Sequence, residues 1–98
     1  MRIAVARESE AGEPRVAATP DTVKKLIALG AEVAVVPEAG TGAGIPDAEF
    51  AAAGATVTKD AMANADIVLK VRRPTADELK GYKRGALVRL LESTLSFI

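Results

Sequence analysis

The stretch RVAATPDTVKKLIALGAEVAVV, residues 15–36, decides the fold. Thr19 precedes Pro20 within it. A threonine at the N-cap answers a free amide, and a proline in the first turn loses no helical hydrogen bond, so the pair predicts a helix start. Asp21 adds negative charge to that turn, where the helix dipole favours it. Val23, Leu26 and Ile27 recur at the spacing of one helical face, and Gly30 is placed to stop the helix. EVAVV, residues 32–36, then reads as a buried strand. RIAVA, residues 2–6, is its counterpart upstream: short, apolar and bounded by charge. Strand, helix and strand in this order make a βαβ unit.

The same alternation continues in both directions. RESEAGEPR (7–15), with Gly12 and Pro14, is a loop. PEAGTGAGIPD (37–47) is a glycine-rich connection. Pro46 and Asp47 open a second helix, over 46–53, that Gly54 ends. ATVT (55–58) is a short strand, DAMANA (60–65) a brief helix, and DIVLKV (66–71) the clearest strand. Pro74 breaks that strand. A helix over 75–82 begins at Thr75 with Asp77 and Glu78 in its first turn. Gly85 then leads into a fifth strand, ALVRLL (86–91). The pattern predicts an α/β fold: an open parallel sheet of about five strands in three layers, Rossmann-like or flavodoxin-like. A fifth strand with no neighbour leaves an edge open, and the chain closes on bulky apolar Phe97 and Ile98. Both features read as an incomplete domain over residues 1–98, and they predict self-association of the isolated chain.

Composition narrows the function. Ninety-eight residues, 49% of them hydrophobic, suit one modest core. Aromatics are 3%, too few for a base-stacking platform, and 13 basic residues balance 13 acidic ones. No global pull toward nucleic acid or an anionic membrane follows from that balance. The absence of cysteine excludes disulfides and thiolate metal sites, and the absence of histidine removes the commonest general base and metal ligand. No metal site is expected. No apolar run approaches the roughly 20 residues that span a bilayer, and Met1 and Arg2 do not begin a signal peptide, so a cytoplasmic location is expected.

Three features could carry chemistry. EAGTGAG (38–44) follows a strand and precedes a helix, the setting of a phosphate loop. Its glycines, Gly40, Gly42 and Gly44, miss the dinucleotide spacing, because Ile45 stands where the third glycine belongs. The loop also follows the second strand rather than the first. A turn that needs positive φ is the plainer reading. Arg15 could hold a carboxylate or phosphate bidentately, or pair with Glu10 or Glu13 on the surface. Lys70, Arg72 and Arg73 cluster at the carboxyl end of the fourth strand, where ligands of open α/β sheets bind. They make either an anion pocket together with Arg15 or a solvated strand end. The carboxylates of RESE and ADE fall in loop and helix-start contexts that solvation or capping explains. No nucleophile–base arrangement is present, so no catalytic residue and no cofactor-binding residue is expected within the chain.

Taken in order, E-x-RVAATP (13–20), E-AG-GAG (38–44), AAGA (52–55) and ADIVLKV-RP (65–74) resemble one family over residues 1–88. It is the amino-terminal domain shared by the α subunit of proton-translocating NAD(P) transhydrogenase and by alanine dehydrogenase. In alanine dehydrogenases the arginine of the RVA-TP motif holds the substrate carboxylate, and Arg15 matches that position. Their catalytic lysine lies two residues before the proline that follows the fourth strand, and Arg72 stands there instead. Arginine stays protonated and cannot exchange a proton as lysine does. Their histidine after the next strand has no counterpart, since LLESTLSF occupies the matching stretch.

The resemblance therefore implies the transhydrogenase branch, with Arg15 and Arg72 as cleft-facing residues. For the full enzyme it implies NAD(H) and NADP(H), hydride transfer between them, the remaining α and β subunits as partners, a homodimer, and a place peripheral to the inner membrane. It implies further that the NAD-binding Rossmann domain lies outside these residues and that this fragment is inactive alone and binds no cofactor. The alternatives are an alanine dehydrogenase-like fragment and a non-catalytic assembly module.

Overall fold

The computed structural model describes residues 1–8 and 15–90. The expectations for the end of the fifth strand at Leu91 and for the Phe97–Ile98 tail, and the pairing of Arg15 with Glu10 or Glu13, lie outside the described residues. Five strands form one parallel sheet: β1 (Arg2–Val5), β2 (Glu32–Val35), β3 (Thr56–Val57), β4 (Ile67–Lys70) and β5 (Leu87–Leu90). Among the described residues three α-helices accompany them: α1 (Pro20–Ala28), α2 (Asp47–Ala52) and α3 (Ala76–Lys80). The strand order is β3-β2-β1-β4-β5, so the expected open parallel α/β sheet of five strands is present.

Side-chain alternation along the strands sorts the core into two faces. Val5, Val33 and Val35 point to one face and pack with Val23 of α1 and Phe50 of α2. Ala4, Ala6, Ala34 and Val68 point to the other and meet Ala61, Ala65, Met62 and Tyr82. The alanines are short, so the covering chain lies close to the sheet. That covering segment is not the brief helix expected over 60–65. It is a run of turns in which Ala61, Ala63 and Ala65 each donate to a carbonyl three residues back. The Thr58 side chain competes with a helix start there by accepting the Asp60 N–H at 3.3 Å.

Helix α1 begins as its sequence dictates, with the Thr19 Oγ1 accepting the Thr22 N–H and Pro20 in the first turn. Gly30 follows its end at φ 99°. In the 37–47 connection a single 3₁₀ turn spans Thr41–Ala43. Positive φ is needed there at Gly44 and, unexpectedly, at Glu38, but not at Gly40. Gly40 is required for space instead: a Cβ there would lie 2.7 Å from both the Ile45 carbonyl and the Phe50 ring.

The amino end of the sheet is tied by Asp66. Its carboxylate accepts the Arg2 N–H at 2.8 Å and the Lys83 ammonium at 2.6 Å. These two bonds, that from Lys83 first, hold the Asp66 carboxyl below the usual carboxylate range.

Candidate functional site

In a parallel sheet of this order the chain leaves β1 toward β2 on one side and reaches β4 on the other. The carboxyl ends of β1 and β4 therefore flank the topological switch point, where open α/β sheets take their ligands. The ladder between them stops at the bond from Ala6 N–H to the Leu69 carbonyl, 3.0 Å long. Past it the N–H groups of Val71 and Arg72 emerge beyond the last described strand pairs.

They are received by Glu8. Its Oε2 accepts the Val71 N–H at 2.9 Å, and its Oε1 accepts the Arg72 N–H at 3.1 Å. The Lys70 ammonium donates to the same Oε1 at 3.0 Å. Side-chain exposure is 1% for Lys70 and 3% for Glu8, so this pair is dry. Lys70 also lies 3.8 Å from Glu78 Oε2. Glu78 is the closing residue of a capping box: its other oxygen accepts the Thr75 N–H, while Thr75 Oγ1 accepts the Glu78 N–H. Lys70 thus joins the loop after β1 to the first turn of α3.

The site differs from expectation in a specific way. Lys70 is neither a solvated strand end nor a cation open to a ligand, because the chain supplies its anion. The carboxylates of RESE are also not all loop solvation, since Glu8 is buried and bonded. Glu8 is the residue that sequence reasoning missed. A signal for it was present: a lysine inside DIVLKV, a strand read as buried, needs a buried counter-charge, and the nearest strand end is that of β1.

Arg72 is half-buried, with its backbone held by Glu8. Arg15 is exposed and precedes Val16, which packs on the first core, and Ala18, which is buried. Both arginines flank segments that enter or leave the carboxyl end of the sheet. Beside the switch point, on the alanine face, lies a groove of about 370 Å³. Its walls include Ala6, Arg7, Val36, Lys59, Glu78 and Tyr82.

Tyr82 is the one tyrosine of the chain, and there is no tryptophan. Burial, then the charges of Glu78 and Glu8, push its phenol up to about 12. The phenol keeps its proton longer in the folded chain than in the unfolded one, whose tyrosine ionises near pH 10. The stability this contributes is complete below pH 10 and is lost as pH rises from 10 through 12. Ultraviolet titration of phenolate should therefore give a midpoint near 12 in buffer and near 10 in denaturant. A native midpoint at 10 would contradict the burial of Tyr82.

Among the described residues no group of three or more acidic side chains could hold a metal ion. No described helix is long and apolar enough to cross a membrane. At the switch point the Glu8 carboxylate takes up the two amides and the ammonium that face it.

A parallel sheet in the order β3-β2-β1-β4-β5, packed on both faces, puts the chain among doubly wound parallel α/β domains. More narrowly, it belongs to the family of the alanine dehydrogenase/PNT N-terminal domain, whose model matches residues 4–94. It is 45% identical over 96 residues to the first part of NAD(P) transhydrogenase subunit alpha of Rhodospirillum rubrum, a match covering 90% of this chain and 25% of that protein. It is 41% identical over 88 residues to the alanine dehydrogenase of Halomonas elongata, covering 87% of this chain and 24% of that one. The solved structure of transhydrogenase from Sinorhizobium meliloti superposes with a TM-score of 0.87 at 46% identity, over 90% of this chain and 26% of the other. The chain spans about a quarter of the length of each relative.

Proposed function

We propose that the chain is the amino-terminal part of the NAD(H)-binding component of a proton-translocating NAD(P) transhydrogenase, a domain whose NAD-binding partner domain lies elsewhere in the full protein. The observation that carries this reading is the 45% identity to the transhydrogenase alpha subunit of Rhodospirillum rubrum. Arg72 supports it, since it stands where the resemblance to alanine dehydrogenases calls for a lysine able to exchange a proton. In this reading Arg15 and Arg72 face the cleft between the two domains. The remaining α and β subunits are the partners, the full protein is a homodimer, and hydride passes between NAD(H) and NADP(H) outside these residues. The component sits on the cytoplasmic side, peripheral to the inner membrane. Because Glu8 fills the switch point, the role of this domain is to shape the cleft rather than to hold the dinucleotide.

The test uses the product of the complete reading frame, assembled with its β component. Transfer of hydride from NADH to an oxidised NADP analogue, without alanine-dependent reduction of NAD, is the expected result. NADH-dependent reductive amination of pyruvate in its place would assign the protein to the alanine dehydrogenase branch. Calorimetry on the 98-residue chain should give NAD binding no tighter than about 1 mM, roughly 4 kcal/mol.

A further inference from the structure

We propose that Glu8 is a resident ligand: its carboxylate occupies an oxyanion site that the switch point builds from the Lys70 ammonium and the backbone N–H groups of Val71 and Arg72, and so closes that site to external anions. The inference is independent of the enzyme assignment, because it rests only on the contacts of this chain.

Three observations carry it. The donor set is that of an anion receptor, with two adjacent backbone N–H groups and one cation converging on a single carboxylate at 2.9, 3.1 and 3.0 Å. Lys70 is almost wholly buried, so its charge is strong toward whatever sits opposite and costly if nothing does. The position is also the one where this sheet topology takes ligands from outside. A solvent-facing carboxylate in the loop after β1 would leave all three donors open to one. The chain places Glu8 there instead, three residues after β1 ends at Val5. The same contact holds the backbone of Arg72, so the resident carboxylate is a positioning residue for that arginine.

The chemistry predicts that an emptied site accepts a small carboxylate. Glu8→Ala removes the resident group and leaves a gap the size of formate or acetate. The measurement is thermal melting of Glu8→Ala, followed by far-UV circular dichroism, in sodium formate against sodium chloride at equal ionic strength. Formate should raise the melting temperature of Glu8→Ala saturably and leave the wild type at its chloride value. At ten times its dissociation constant, formate should favour the folded state by about tenfold over chloride. If Glu8→Ala is unfolded in buffer, the same titration should refold it with formate and not with chloride. The double variant Glu8→Ala/Lys70→Met lacks the cation and should show no formate response. Equal behaviour of Glu8→Ala in formate and chloride would overturn the proposal. So would a formate response that persists in the double variant. A merely structural Glu8, needed for its length or packing, would not be replaced by a free anion.

Discussion

Lys70→Ala should cost about 3–5 kcal/mol, because it leaves the Glu8 carboxylate buried without its counter-charge. A chain of this size has roughly 5–15 kcal/mol in all, so the variant should melt far below the parent, by about 4–8 °C for each kcal/mol lost. The two N–H groups of Val71 and Arg72 still solvate Glu8 in this variant, which keeps the loss toward the lower end of that range. Lys80→Ala is the control. Its ion pair with Asp77 has side chains 80% and 95% exposed, and pairs of that kind contribute at most about 1 kcal/mol. Urea unfolding of both variants separates the cases. A loss below about 1 kcal/mol for Lys70→Ala would mean that the pair with Glu8 is hydrated.

Phe50→Ala should lose about 3–5 kcal/mol, through the transfer of the ring and the cavity that remains. Phe50 is fully buried, among Val23, Val33, Val35 and Ala53. Its ring also lies against Gly40, so closely that a Cβ there would clash with it. The aromatic ring is therefore the wall on which the glycine-rich connection rests, and its loss loosens two elements together. Phe50→Leu keeps much of the volume and should lose less. The check is denaturant unfolding with the slope held constant. A loss under about 1 kcal/mol for the alanine variant would contradict the packing of α2 on the sheet.

Local signals are legible where the chain answers to its own neighbours. Thr19–Pro20 opens α1 and Gly30 follows its end, because caps and φ preferences act within one turn. The buried strands announce themselves through runs of small apolar residues, whose transfer from water does not depend on which strand lies alongside. The glycine-rich turn is legible as a turn, but the reason for Gly40 is not. Its constraint is the space left by the Ile45 carbonyl and by the Phe50 ring, ten residues on, rather than a dihedral angle. The segment 60–65 reads as a helix and is not one, because tertiary cover on the alanine face needs only a close-packed turn, which composition does not distinguish from a short helix.

By itself, then, the sequence determined the alternation of strands and helices, the absence of histidine and cysteine chemistry, and the family to which the chain belongs. Only the tertiary structure decided the fate of the charges at the carboxyl end of the sheet. Lys70 and Glu8 are 62 residues apart, and no periodicity links them. They meet because the order β3-β2-β1-β4-β5 makes β1 and β4 neighbours, and strand order is set by packing and crossover connections rather than by local preference. Once they meet without water, each charge requires the other, and what reads as a cation cluster becomes a closed pair.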